Sequence, residues 1–116
     1  MNPLDYSLCQ QTVTLYRRNG SGATRQVVEN CHLQTRQRLR TDTAGKSMEK
    51  EFLLIIPGFA DIAPGDRVYA GTGPEGVLWE DFTPANIPEL YEISYVRPCF
   101  WQGDICHVQA GHREGL

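Results

Sequence analysis

The residues best equipped for chemistry are four cysteines, Cys9, Cys31, Cys99 and Cys106, and three histidines, His32, His107 and His112. Cys31-His32 and Cys106-His107 are doublets of a thiol and an imidazole, the donor types that hold zinc or activate a cysteine nucleophile. Their spacing argues against both uses. Six residues separate Cys99 from Cys106 and twenty-one separate Cys9 from Cys31, whereas zinc sites usually space paired thiols by about two to four. On a strand, adjacent side chains point to opposite faces, so a doublet does not offer both groups to one ion unless the strand is broken there. Small buried thiols are favoured over a metal or disulfide framework.

No Gly-x-Ser-x-Gly, Cys-Gly-x-Cys or His-Glu-x-x-His surrounds these residues, and nothing supplies an oxyanion hole or an orienting partner for a Cys-His pair. Asp61, Asp66 and Asp104 lie beside turns, where Asp is expected for backbone reasons. Gly73-Pro-Glu-Gly76 lacks the Lys-Ser/Thr of a phosphate loop. No catalytic, metal-binding or cofactor-binding residue is assigned, and the chain is expected not to be an enzyme.

At 116 residues the chain is read as one domain, 1–116, long enough to bury a core without disulfides or metal. A net charge of −3 leaves no basic footprint, so bulk electrostatics do not point to nucleic acid. The longest apolar run is five residues, Phe52 to Ile56, far short of a membrane span. Met-Asn-Pro-Leu-Asp at the start has neither a charged n-region nor an apolar h-region, so the protein is expected to stay in the compartment where it is made.

The elements that must position these residues are strands. Residues 1–11 read as an arm with little pattern of its own. Thr12-Val-Thr-Leu-Tyr-Arg-Arg18 alternates, with Val13 and Leu15 on one face and Thr14 and Tyr16 on the other. Asn19-Gly-Ser-Gly22 is a hairpin signal, with Asn-Gly suited to positive φ at both turn positions. A partner strand over 24–33 follows. Phe52-Leu-Leu-Ile-Ile56, closed by Pro57-Gly58, is predicted to be a strand buried on both faces. A second Pro-Gly, at 64 and 65, launches Asp66-Arg-Val-Tyr69. A strand over 90–97, ended by Pro98, a turn over 99–103 and a last strand over 104–110 precede a polar tail, 111–116, expected to fray. Six or seven hairpin-linked strands without a convincing helix predict an all-β fold, a small antiparallel barrel or sandwich.

Two segments stand out against this frame. In 34–50, Arg36, Arg38 and Arg40 alternate with Gln37 and Leu39, and the return arm carries Lys46 and Glu49-Lys-Glu51. This reads as a long hairpin with its tip near 42–46, projecting into solvent. With few apolar residues to bury, it is expected to lack lasting order in a free subunit. The arginines suit phosphates or a carboxylate-lined partner, or simply make a solvated face. Residues 72–89 hold Pro74, Pro84 and Pro88 and no periodic element beyond one helical turn over 77–82. An ordered loop of this length is uncommon and usually functional. Trp79 and Phe82, three apart, share a face and serve either as a lid over the core or as an anchor for a partner.

Thr-Val-Thr-Leu-Tyr-Arg at 12–17, Pro-Gly-Asp-Arg-Val-Tyr at 64–69 and Leu-Tyr-Glu-Ile-Ser-Tyr-Val at 90–96, with a long polar hairpin between, resemble the head-closure or head-to-tail joining proteins of long-tailed bacteriophages. The early Asp5-Tyr-Ser-Leu-Cys-Gln-Gln and the late Phe100-Trp and Ile105-Cys-His-Val108 are similar to small prophage proteins with a connector or minor capsid role. The 72–89 loop and the four cysteines depart from the joining-protein pattern. The resemblance implies a small β-barrel with no chemistry, monomeric alone and assembling as a ring between portal and tail. Its partners would be portal or adaptor and tail-terminator proteins. DNA would pass through without specific binding, no membrane would be involved, and the protein would reside in the host cytoplasm before the virion. Contact residues would be Arg36, Arg38, Arg40, Lys46, Trp79 and Phe82. The alternative class is a β-barrel module binding a peptide or small ligand through the Trp79/Phe82 loop.

Overall fold

The structure, a computed structural model, describes the backbone of residues 9–42 and 45–112, and the side chains of these except for 38–49. The described chain is all-β: β1 (Gln11–Asn19), β2 (Gly22–Asp42), β3 (Gly45–Pro57), β4 (Arg67–Ala70), β5 (Leu90–Glu92), β6 (Tyr95–Trp101) and β7 (Asp104–His112). Every neighbouring pair is antiparallel, in the order β5-β4-β1-β2-β3-β7-β6. No helix among the described residues is long and apolar enough to cross a membrane.

The sheet curls into a half-barrel because the chain turns two corners. The predicted 24–33 strand and the first arm of the charged hairpin are one continuous strand of 21 residues. Its first half pairs with β1 as far as Gln11↔Cys31, and its second half pairs with β3 from His32↔Ile55 onward. At the switch Asn30 takes a left-handed φ of 58° and the β1 register slips, the usual marks of a bulge that bends a strand. The second corner lies between β5 and β6. Ile93 donates its amide to the Asp66 carbonyl on one side of the sheet, and Ser94 donates to the Gly111 carbonyl on the other. The two edge strands are therefore brought together at one point of the chain.

Val13, Leu15, Cys31, Leu33, Phe52, Leu54, Ile56, Val68, Tyr91, Ile93, Val108 and Ala110 fill the inside of the curl. The expectation that β3 is buried on both faces is corrected here. Phe52, Leu54 and Ile56 are buried, whereas Leu53 and Ile55 on the outer face are only half-buried. A strand central in a half-barrel is covered on its inner side alone. Pro98 does not end its strand either, but pairs with Val108 inside β6. An edge strand tolerates proline because its outward position needs no ladder donor. In the first hairpin Asn19 pairs with Gly22, and Gly20 alone of the turn takes positive φ, 62°. The last strand runs on to His112, two residues beyond the prediction, and 113–116 lie outside the described residues.

Candidate functional site

Period-two alternation along β1, β2 and β4 puts Thr14, Tyr16, Ala23, Arg25, Arg67 and Tyr69 on the outer face of the sheet. Residues 71–90 fold back over that face. The Thr14 hydroxyl donates to the Gly71 carbonyl at 2.8 Å and accepts the Gly73 amide at 2.8 Å. The Tyr16 hydroxyl donates to the Pro74 carbonyl at 2.7 Å, and Arg25 forks onto the Gly73 carbonyl at 2.7 and 3.0 Å. Arg67 donates to the Trp79 and Phe82 carbonyls, both at 2.6 Å, and its guanidinium lies 3.7 Å from the Trp79 ring centroid. Lys50 Nζ lies 2.6 to 3.1 Å from the carbonyls of Pro84, Ile87, Pro88 and Leu90, sharing its three protons among four acceptors. Burial lowers the pKa of both Lys50 and Arg67 from their ordinary values.

A loop without ladder partners is thus ordered by side chains that reach its carbonyls. Beneath the straps Tyr16, Phe82 and Leu90 form a second core, joined by Tyr69, Val77, Trp79 and Ile87. The Phe82 ring sits 4.6 Å from Tyr16 and 6.3 Å from Tyr69, centroid to centroid. Gly73 has no room for a side chain, since a Cβ there would meet the Tyr16 hydroxyl. The single turn expected over 77–82 is present as the Phe82 amide bonded to the Leu78 carbonyl. Of the two roles open to this pair, the lid describes what Phe82 does. Phe82 is 5% exposed and packs within the subunit, and Trp79 is half-buried under Arg67.

The ribbon has another construction. β7 leaves β3 at Phe52↔His112, so the register from Arg36↔Glu51 to Asp42↔Gly45 belongs to two strands with no third beside them among the described residues. Arg36 stands opposite Glu51 and Arg38 opposite Glu49, which sets two of the three arginines against a glutamate in the next strand. Arg36 is exposed. The side chains of Arg38, Arg40 and Lys46 lie outside the described set; their backbones place Arg40 opposite Ser47 and Lys46 opposite Thr41. Lys50 is on the other face from the arginines, paired with Gln37, whose side chain donates to the Tyr91 hydroxyl at 3.3 Å. The six contact candidates are therefore not one patch: four ride on the ribbon, and Trp79 and Phe82 belong to the strapped loop.

The cysteine doublets divide as strand geometry requires at Cys31, which is fully buried and donates its thiol to the Gln11 carbonyl at 3.2 Å, while His32 is half-buried. Burial pushes the Cys31 thiol up and the His107 imidazole down from their usual ranges. At the second doublet the pairing skips Cys106, passing from Cys99↔His107 to Phe100↔Ile105, so the strand is irregular there. The described cysteines are free thiols, and among the described residues no group of three or more His, Cys, Asp or Glu is placed to hold a metal ion.

Sequence reasoning also missed a bidentate pair. Arg17 grips Asp66 with Nε at 3.1 and 3.2 Å and a terminal nitrogen at 2.9 Å, which raises the arginine pKa, and Asp66 accepts the Ala63 amide as well. A cavity of about 380 Å³ opens beside this pair, lined by Leu15, Arg17, Thr24, Arg25, Gln26 and Asp61, but both its cations are already held, Arg17 by Asp66 and Arg25 by the Gly73 carbonyl. Phe59, Phe100 and Trp101 are exposed at the end of the sheet away from the ribbon. The straps carried one faint signal, since Arg25, Lys50 and Arg67 are cations in strands otherwise reading as half-buried. Comparison with family models, curated proteins and solved structures returns no match.

Proposed function

We propose that this chain is a structural virion subunit of a tailed phage or prophage, a head-closure or connector component that forms a ring between portal and tail. One observation carries the reading. Of the three segments that resemble the joining proteins, 12–17, 64–69 and 90–96, the strands β1, β4 and β5 lie side by side in the fold, and the end of the third segment turns the corner into β6 on the other edge. They are fastened to one another: Arg17 of the first grips Asp66 of the second, and Gly65 of the second donates to Ile93 of the third. Likeness in three distant stretches that coincides on one bonded trio of strands is what a shared fold produces, and isolated Pro-Gly turn chemistry does not predict it.

The projecting ribbon supports the same reading, because a subunit that joins neighbours needs a contact element outside its own core. Net acidity suits a ring that passes DNA without gripping it, since it offers phosphate little to hold. Portal or adaptor proteins on one side and tail-terminator proteins on the other are the partners this role requires. The ligand-binding alternative is weaker on one point: its anchor, Phe82, is spent inside the subunit.

Deletion of the gene from an inducible prophage tests the proposal. Filled heads and free tails that fail to join, rescued by the intact chain, are expected, with the chain present in purified virions. Normal joined particles without it would end the proposal.

A further inference from the structure

We propose that the outward edge of β2 from Leu33 onward is a strand-addition site, and that its occupant is segment 4–8 of a second copy of this chain. For its purpose the inference rests on the ring assembly proposed above. The contact itself rests on the edge. β1 leaves β2 at Gln11↔Cys31, and from His32 on β3 is the one strand beside β2 among the described residues. The Leu33 amide donates to the Gln11 carboxamide oxygen at 2.8 Å, and the same carboxamide donates to the Leu33 carbonyl at 3.1 Å. A side chain thus stands where the main chain of another strand would stand, and it shows that the Leu33 backbone groups face away from β3. Thr35, Gln37, Leu39 and Thr41 share that orientation by the period of the strand, so each presents an N–H and a C=O to the edge away from β3, where no strand lies among the described residues. Such an edge is a template for an added strand.

The occupant follows from where the chain's own arm stops. Continuing β1 along this edge would set Cys9 opposite Leu33, but the Gln11 carboxamide fills that place, and Cys9 and Gln10 are not in a strand. At its described end, Cys9 and Gln10, the chain does not continue along that edge as a strand, and we assign the edge to the arm of a neighbour. Its sequence, Leu4-Asp-Tyr-Ser-Leu8, alternates apolar and polar residues, the pattern of a half-buried strand. Added to β2, one of its faces falls beside Leu33 and Thr35 at the rim of the core, near Phe52. The other falls on the face that carries Arg36, opposite in charge to Asp5. Eight extended residues span about 26 Å, enough to cross to an adjacent subunit. Each copy gives one arm and takes one, so the contact propagates around a ring.

A synthetic peptide of residues 1–10, added to the chain lacking 2–8, tests this by amide exchange and titration. Binding is expected to slow exchange at Thr35, Gln37 and Leu39 at least tenfold and to leave Gln34 and Arg36 unchanged. That alternation belongs to strand addition and to no diffuse contact. Tyr6→Pro in the peptide should abolish binding. Gln37→Pro in the protein, which deletes an outward N–H at a position where an edge tolerates proline, should weaken it at least tenfold. The peptide variant keeps the test intact if Gln37→Pro does not fold. In the full chain the same protection should fall on dilution. No binding at millimolar peptide, or protection without alternation, overturns the site. Protection in the full chain that is unchanged by dilution assigns the arm to its own edge and overturns the second copy. Neither outcome depends on the prophage deletion, so the contact and the connector role fail separately.

Discussion

The 71–90 loop and the 34–51 ribbon both leave the curled sheet, and their backbone groups find partners by different means. The loop has almost no ladder. Its carbonyls at 71, 73, 74, 79, 82, 84, 87, 88 and 90 are reached by Thr14, Tyr16, Arg25, Arg67 and Lys50, and its apolar residues close over Tyr16 and Tyr69. The ribbon is all ladder, with its pairs running in register to Asp42↔Gly45 and no third strand beyond Phe52 among the described residues. Regular hydrogen bonding is not what makes a segment part of the folded body. A two-stranded ribbon is marginal in water by itself, whereas an irregular segment that buries an aromatic ring and has most of its carbonyls bonded is built into the folded body.

The contrast breaks most visibly at Phe82. Phe82→Ala is expected to destabilise the whole domain by about 3 to 5 kcal/mol, read by urea unfolding, because it empties the second core under the loop. A loss under about 1 kcal/mol would mean that the loop is laid on the sheet and not built into it. Lys50→Met comes next. Removing an ammonium shared by four carbonyls should cost about 2 to 3 kcal/mol and open a protease site within 84–90, with the rest of the sheet intact. Tyr16→Phe deletes one hydroxyl and one bond to the Pro74 carbonyl, so about 1 kcal/mol is expected, with the ring contact to Phe82 retained.

The ribbon should show the opposite profile. Reversing Arg36, Arg38 and Arg40 to Glu sets glutamates against Glu51 and Glu49, so it is expected to fray the ribbon at a cost of about 1 kcal/mol, to leave the sheet folded and to stop particle assembly. Unchanged particle yield and infectivity would remove the ribbon's role. Amide exchange should quicken stepwise from Thr35↔Phe52 to Asp42↔Gly45 in the free chain; flat, strong protection to the end of the register would contradict the view that the ribbon lacks a core of its own.

Much of the ribbon was legible and little of the loop was. Alternation of Arg36, Arg38 and Arg40 with Gln37 and Leu39 is a local pattern, and it located both arms, which pair as far as Asp42↔Gly45. The continuity of 24–33 with the first arm was hidden because a bend at Asn30 depends on a left-handed residue and a slipped register, neither written in composition. Pro98 read as a stop because the sequence does not say that β6 lies at an edge. Trp79 and Phe82 were recognised as a pair, but what lies over or under them depends on the outer face of strands far away in sequence.

By itself, then, the sequence determined the all-β class, the hairpin turns, the apolar stripe of β3 and the existence of two projecting segments, because period-two alternation and Gly-Pro punctuation act over a few residues. The tertiary structure alone decided that the 71–90 loop packs on its own sheet and that the ribbon runs beyond it. That choice depends on Lys50, Arg67 and Tyr16 meeting carbonyls 12 to 58 residues away, and a contact of that range exists only once the sheet has curled.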